Sequence, residues 1–252
     1  MNYWNVVKNI VRRADIVIEV LDARMPALSR NHDLEVMVKK MNKELVKVFN
    51  KVDLVSAAHY HFLQRRYKGA FFVSGTKNLG MSKLRNALYM LGKRKGAENP
   101  KIGVVGYPNV GKSAIINAIA RRAKAKMSPI PGTTRGVQTI KAGGLNVLDS
   151  PGVFPYGEDE LKLGLLAAKN PDRLKNPELL ACKIIEMFLE SNKLALEKFY
   201  NLKLEEEAEW DSYEIMLQIG QEKKMLMKGG VTDERRTALQ IIRDWQRGHI
   251  QI

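Results

Sequence analysis

The segment GYPNVGKS, residues 106–113, has the spacing G-x-x-x-x-G-K-[ST] of a loop that binds nucleotide phosphates. Glycines let such a loop curl so that backbone N–H groups point at phosphate oxygens, and the helix that follows adds its positive end. Lys112 is predicted to reach the β- and γ-phosphates and to act in catalysis, and the Ser113 hydroxyl to ligate Mg²⁺. We expect the nucleotide to contact Gly106, Pro108, Asn109, Val110, Gly111, Lys112, Ser113 and Ala114.

Two motifs downstream have the residues that a bound triphosphate and its metal would need. DSPG closes a predicted strand, so Asp149 can hold Mg²⁺ through a water molecule and the Gly152 N–H can meet the γ-phosphate. In PGTTR, Thr134 is predicted to ligate Mg²⁺ and to respond to the γ-phosphate, with Thr133 as the alternative. With Lys112, Thr134 and Gly152 complete the predicted catalytic set.

A further motif, NKVD, follows a predicted strand and has the residues that would read a guanine base. The Asp53 carboxylate can accept hydrogen bonds from guanine N1–H and its exocyclic amine, which adenine cannot supply. Because an unpaired buried acceptor is costly, Asp53 is expected to discriminate strongly against ATP. Asn50 can bond the base and brace the loop, and Lys51 can lay its aliphatic stem across the ring.

SGTK follows the next predicted strand and is suited to present a backbone N–H to the guanine oxygen. Ser74, Gly75 and Thr76 are therefore predicted to line the base pocket. Together the motifs predict binding of GTP and GDP with Mg²⁺. A different P-loop enzyme, such as an ATPase or a small-molecule kinase, is the alternative, and NKVD argues against it.

Short apolar runs alternate with helical patterns in the part of the chain that carries these motifs. IVIEVL, LVKVF, AFFV and KIGVVG are continuous enough to be buried strands of a parallel sheet. A hairpin over 136–149 turns at Gly143-Gly144. This alternation predicts an α/β fold with a doubly wound, mainly parallel sheet. Beyond residue 157, apolar residues recur at helical spacing near 158–168, 177–200, 210–228 and 232–247.

The charge of the chain divides at nearly the same place. Its 42 Lys and Arg exceed its 27 Asp and Glu, which gives a formal charge of +15 over 252 residues. Between Asp53 and Asp149 seventeen basic residues stand against Glu98 alone, whereas from Pro151 onward the balance is −3. We therefore predict a nucleotide-binding domain over 1–157, a connecting segment over 158–174 and a small all-α domain over 175–252 that contacts RNA or the ribosome.

A basic block of this size favours a nucleic acid as partner, with a solvated basic surface as the alternative. Its clusters are Arg65-Arg66-Lys68, Lys93-Arg94-Lys95 and Arg121-Arg122-Lys124-Lys126. One cysteine, Cys182, excludes a disulfide framework and a cysteine-based zinc site within the chain. No apolar run approaches the ~20 residues of a membrane span, and the start of the chain does not resemble a secretory signal. We therefore expect a soluble, cytoplasmic, monomeric protein without a membrane partner.

The order of the motifs, NKVD, SGTK, GYPNVGKS, PGTTR and DSPG, is a circular permutation of that in translation-factor-class P-loop GTPases. The chain resembles the YlqF family, also called ribosome biogenesis GTPase A, over about residues 10–247. DARMP (22–26), SRN (29–31) and KGG (228–230) are also similar to that family. Because motifs meet in space and not in sequence, a permuted order can leave the arrangement of the sheet unchanged.

The resemblance implies a GTPase that assembles the large ribosomal subunit and binds its ribosomal RNA. It implies a hydrophobic residue, Val153, in place of a water-orienting glutamine, and hence slow intrinsic turnover that ribosomal particles stimulate. It also implies stimulation by potassium bound at Asn109, although Asn109 can instead only brace the loop. Several members have a histidine upstream of the first helix, whereas the first histidine here is His32.

The alternative functions are a nucleotide-dependent RNA clamp with negligible hydrolysis and a small-subunit assembly GTPase. Since the DSPG segment runs directly into the helical domain, we expect that domain to read the nucleotide state and RNA binding to be gated by it. A nucleolar or organellar location is the alternative to the cytoplasm if the source is eukaryotic.

Overall fold

The structure is a computed structural model, and it describes residues 3–121, 138–149, 159–205 and 210–252. The chain divides into two compact units, Met1–Glu158 and Asp159–Ile252. The described residues of the first unit form a six-stranded, mostly parallel sheet with helices, and those of the second are helical. The predicted α/β fold with a helical C-terminal region is therefore confirmed.

Every strand that the structure describes lies in the first unit. The strands are β1 (Ile16–Asp22), β2 (Glu44–Asn50), β3 (Phe71–Phe72), β4 (Lys101–Val105), β5 (Gln138–Ala142) and β6 (Leu145–Asp149). The helices described in this unit are α1 (Tyr3–Arg13), α2 (Pro26–Ser29), α3 (His32–Lys40), α4 (Ala57–Arg66), α5 (Met81–Arg94) and α6 (Lys112–Arg121). A 3-10 turn at Val52–Leu54 follows β2.

The strands lie in the order β3-β2-β1-β4-β6-β5, and only β5 runs antiparallel to its neighbour. β1 pairs with β2 on one side and with β4 on the other, although Ile16 and its partner Ile102 are far apart in sequence. The parallel strands therefore end at one edge, where Asn50, Val105 and Asp149 are the last strand residues. Ligands of open α/β sheets bind at this edge, beside a reversal of strand order such as that between β1 and β4.

Helix α1 was not predicted, although its sequence carries a helical pattern. Val6, Val7, Ile10 and Val11 are buried and pack with residues of β1, α3, β4 and β6 in one core cluster. Lys8 and Asn9 interrupt these residues and two arginines follow them, so the segment has no long apolar run. The spacing of the four residues is that of an amphipathic helix, which a search for long apolar runs does not detect.

The second unit contains α7 (Glu160–Leu165), α8 (Pro177–Ser191), α9 (Lys193–Tyr200), α10 (Ser212–Glu222) and α11 (Glu234–Arg247) among its described residues. Its core includes Trp245, whose ring packs edge-on against Phe188 at 5.9 Å and whose indole N–H donates to the Leu165 carbonyl at 2.9 Å. No helix that the structure describes is long and apolar enough to cross a membrane.

One feature of this unit differs in detail from the sequence expectation. The stretch 177–200 forms two helices, because the Asn192 side chain accepts a hydrogen bond from the Ala195 N–H and so starts α9. Helix α7 lies within 158–168, where helical spacing was expected, and a 3-10 turn follows at Pro171–Arg173. Helix α7 packs against α8 within the unit.

Candidate nucleotide-binding site

The loop between β4 and α6 has a backbone shape that requires glycine at both ends. Gly106 has φ +149°, and a Cβ there would lie 2.5 Å from the Val20 carbonyl oxygen. Gly111 has φ +95°, and a Cβ there would overlap the Asn50 Nδ2 atom. The two glycines therefore allow the loop to approach β1 and the NKVD segment closely, as a phosphate-binding loop must.

The Lys112 ammonium lies within this loop and is nearly buried. It donates hydrogen bonds to the Gly106 carbonyl at 2.9 Å and to the Tyr107 carbonyl at 2.7 Å. Burial lowers the pKa of Lys112 to about 8, while the nearby Asp149 carboxylate acts in the opposite direction. The ammonium is thus positioned between the loop and the end of β6, where phosphate oxygens would offer it anionic acceptors instead of carbonyls.

Asn50 joins three of the predicted motifs. Its side-chain Nδ2 donates to the Val110 carbonyl at 2.9 Å, and its Oδ1 accepts from the Gly75 N–H at 3.0 Å. Only 3% of the residue is exposed, so both hydrogen bonds are shielded from water. The NKVD asparagine therefore braces the phosphate loop against the SGTK loop.

Replacing Asn50 should destabilise the nucleotide-binding unit. Asn50→Ala leaves the Val110 carbonyl and the Gly75 N–H without partners, at about 1–3 kcal/mol each. We expect the thermal midpoint to fall by roughly 5–20 °C, because the two losses together amount to about 2–6 kcal/mol and about 1 kcal/mol shifts it by ~2–4 °C in a unit of this size. Differential scanning calorimetry without nucleotide measures this, with Asn86→Ala on the exposed surface of α5 as the control. Equal shifts in the two variants would show that the bridge does not stabilise the unit.

The Lys51 side chain is held by a buried ion network that the sequence did not reveal. Its Nζ donates to Asp22 Oδ2 at 2.7 Å, and Asp22 also accepts from Arg24 Nη2 at 2.8 Å and Nε at 3.1 Å. Asp22 and Arg24 are 0% and 2% exposed. Burial alone would raise the pKa of Asp22, but the two cations lower it to about 2. Asp22, in the DARMP segment, thus holds the ammonium group of Lys51, the residue predicted to cover the base.

The backbone around Lys51 fits the same role. Lys51 has a left-handed backbone, with φ +65°, directly before the 3-10 turn that carries Asp53. Burial lowers the pKa of the Lys51 ammonium, and Asp22 opposes that effect. In the sequence, the signal for the ion network was the pair Asp22 and Arg24, which lie two residues apart immediately after a predicted buried strand.

The SGTK segment forms a small closed loop beside the phosphate loop. Ser74 and Leu79 exchange backbone hydrogen bonds at 3.0 and 3.1 Å. The Ser74 hydroxyl accepts from the Lys77 N–H at 3.0 Å and contacts the Thr76 hydroxyl at 3.1 Å. The Val52 N–H donates to the Val73 carbonyl at 3.3 Å, which ties this segment to NKVD. The two segments expected to read the base are therefore adjacent.

The remaining predicted residues divide into those at this edge and those beyond the described ranges. Pro108 is half-buried, and Asn109 is exposed with a left-handed backbone, φ +59°. Ser113 is exposed in the first turn of α6. Thr134 and Gly152, predicted for the γ-phosphate, lie outside the described residues, as does Val153.

The described residues fit a magnesium ion that is shared with phosphates. Across the described ranges, no group of three His, Cys, Asp or Glu residues could hold a metal by itself. The Ser113 hydroxyl is accessible, and Asp149 ends β6 close enough to Lys112 to affect its pKa. One hydroxyl and one carboxylate next to a phosphate loop suit Mg²⁺, which keeps several waters and takes its other ligands from phosphates.

Comparison with known proteins identifies related sequences. Residues 101–213 match the model of the 50S ribosome-binding GTPase family. An uncharacterized GTP-binding protein of Methanocaldococcus jannaschii is 34% identical over 97% of this chain and 65% of its own length. Nuclear/nucleolar GTPase 2 of Arabidopsis thaliana is 32% identical over 98% of this chain and 43% of its own length. The chain thus spans less than two thirds of either relative.

Two solved structures share the fold over nearly the whole chain. GDP-bound YlqF of T. maritima superposes with a TM-score of 0.63 at 21% identity, covering 97% of this chain and 96% of that one. GNP-bound YlqF of T. maritima gives a TM-score of 0.60 at 19% identity, covering 99% and 96%.

Proposed function

We propose that the chain is a circularly permuted P-loop GTPase of the YlqF type, which binds GTP and hydrolyses it to GDP and phosphate. The observation that carries this proposal is the Asn50 bridge, which joins the phosphate loop to both base-reading segments at one sheet edge. In this arrangement the Asp53 carboxylate accepts from the guanine, and the stem of Lys51, held by Asp22, covers the ring. Ser74, Gly75 and Thr76 surround the guanine oxygen.

At the phosphate end, the backbone N–H groups of the loop and the Lys112 ammonium bind the β- and γ-phosphates. Ser113 and Thr134 would hold Mg²⁺ directly and Asp149 through water; the ion would neutralise charge that develops on the phosphates. The Gly152 N–H would donate to the γ-phosphate. Val153 cannot orient a water molecule, so intrinsic hydrolysis is slow and depends on K⁺ near Asn109 and on a partner.

We propose that this partner is the assembling large ribosomal subunit and that the protein binds its ribosomal RNA under control of the nucleotide. The matched family is described as 50S ribosome-binding, and the Arabidopsis relative is named a nucleolar GTPase. The excess of Lys and Arg in the nucleotide-binding half suits contact with RNA phosphates. The site of action would be where ribosomes are assembled, which is the cytoplasm of a prokaryote and the nucleolus of a eukaryote.

Phosphate release from GTP tests the catalytic part of this proposal. We expect slow release by the protein alone, and at least about tenfold faster release in KCl than in NaCl, because a cation between the phosphates stabilises transition-state charge. Large ribosomal particles should accelerate it further. Asn109→Gly, which keeps a left-handed backbone possible, should abolish the difference between the two salts, and Lys112→Met supplies the background rate. No release above that background with particles in KCl would leave the RNA clamp as the function.

A further inference from the structure

A second concave site lies in the first unit, away from the nucleotide-binding edge. It is an open cavity of about 480 Å³. Its lining residues are Leu45, Lys47, Arg66, Tyr67, Lys68, Gly69 and Ala70, and we call it the β2–α4 pocket. The short strand β3 pairs with β2 only at Val48 and Phe49. The preceding residues of β2, together with the turn after α4, therefore form the walls of the pocket.

The β2–α4 pocket is distinct from the site of the guanine nucleotide. Leu45 lies near the beginning of β2 and Asn50 ends it. Five residues of a strand span about 17 Å at ~3.3 Å per residue. A nucleotide bound between Asn50 and the phosphate loop therefore leaves the pocket free.

Positive charge predominates around the pocket. Lys47 and Arg30 both pair with Glu35, at 2.9 and 2.5 Å. Arg66 and Lys68 are exposed, and neither forms an ion pair with another residue that the structure describes. The end of a helix favours a basic residue such as Arg66 through its dipole, but that does not account for Lys68. The pocket thus has cationic groups available for an anion.

An aromatic surface adjoins these cations. The Tyr67 ring lies 4.6 Å from that of Phe49, which fixes its position, and the Arg66 guanidinium lies over the Tyr67 ring at 6.0 Å. One turn earlier on α4, Phe62 is 51% exposed next to the exposed His61. Aromatic rings beside arginine and lysine are the groups that bind unpaired bases and the phosphates next to them.

We propose that the β2–α4 pocket binds an unpaired nucleotide of RNA, with its phosphate on Arg66 and Lys68 and its base against Tyr67. A cavity of this size is within the range that holds a small ligand. Acidic peptides offer the same charge but no flat base for the tyrosine, so the aromatic floor favours RNA. The inference rests on the proposed function in that RNA is the partner, and it adds the location and the single-stranded form of the contact.

Binding of fluorescent ten-nucleotide single-stranded RNA, followed by anisotropy at fixed salt, tests this site. The variant is Arg66→Glu with Lys68→Glu; the matched control is Arg12→Glu with Lys8→Glu, two exposed residues of α1 that give the same change in net charge. We expect the first variant to weaken binding by about tenfold or more and the control by less than about threefold. GDP affinity and the thermal midpoint should stay those of the wild type in both variants.

Photo-crosslinking of 4-thiouridine RNA to the wild-type protein should label residues 66–70. Equal weakening in the two variants, or crosslinks confined to other segments, would overturn the inference. If the substitutions at Arg66 and Lys68 weaken binding of duplex RNA as much as binding of single-stranded RNA, the proposal of a single-stranded ligand would be overturned. An acidic peptide that displaces the RNA at equal affinity would assign the pocket to a protein partner. A wild type that binds short RNA through the pocket but no ribosomal particle contradicts the proposed function alone. If the wild type binds ribosomal particles but the pocket substitutions do not weaken RNA binding, this inference alone is contradicted.

Discussion

Lys112→Met should lower the affinity for GTP and GDP by at least about 100-fold. The ammonium is the one side-chain cation that the described part of the phosphate loop carries, and it lies within the loop, near Asp149. Its bonds to phosphates are charge-assisted and contribute about 1.5–3 kcal/mol each, so the loss of two corresponds to two or more decades of affinity.

The same substitution should not destabilise the nucleotide-free protein near pH 7. A lysine whose folded pKa is about 8, below its ordinary value of 10.5, is held as a cation at a cost in the folded state. That cost is fully present below pH 8 and disappears as pH rises toward 10.5. Isothermal titration calorimetry with GDP and urea unfolding without nucleotide measure the two effects, and Lys83→Met is the surface control. A loss of stability that parallels the loss of affinity would show that Lys112 has a structural role instead.

Asp53→Asn should exchange guanine specificity for xanthine specificity. The carboxylate accepts hydrogen bonds from guanine N1–H and its amine, and an asparagine amide would direct a donor at that amine. We expect GDP affinity to fall by about 100-fold or more, because two hydrogen bonds to a charged acceptor are lost. Xanthosine diphosphate has a carbonyl at the position of the amine, so it should bind the variant more tightly than GDP does.

Competition of GDP, xanthosine diphosphate and ADP against a fluorescent nucleotide measures this change. The wild type should prefer GDP over ADP by a factor on the order of 10⁴, as sites that hydrogen-bond a polar substrate group do. Asp33→Asn, at an exposed position in the first turn of α3, is the control and should leave the preference unchanged. A variant at Asp53 that keeps the GDP preference would show that the base is read elsewhere.

Much of the fold and of the site could be predicted because the motifs depend on local geometry. The glycines of the phosphate loop are required by backbone angles and close approaches at those positions, and the strands before Asn50 and Gly106 are visible as apolar runs. Parallel strands bring their carboxyl ends together, so motifs distant in sequence were expected to be neighbours.

The contacts that hold the site could not be predicted in the same way. Lys51 is held by Asp22, which is 29 positions away, and pairing of that kind depends on the register of β1 against β2. The Asn50 bridge also required the spatial distance between the end of β2 and two loops. The β2–α4 pocket arises because β3 is only two residues long, whereas the sequence suggested a longer strand.

Sedimentation with separated ribosomal subunits, in GDP and in a non-hydrolysable GTP analogue, tests whether the protein is a nucleotide-gated assembly factor. We expect the protein to co-sediment with the large subunit in the presence of the analogue and to be released from it by GDP. Binding of the Lys112→Met variant to the large subunit should not change with either nucleotide. Binding to neither subunit in either state, or equal binding in both, would contradict the claim of a nucleotide-gated assembly factor.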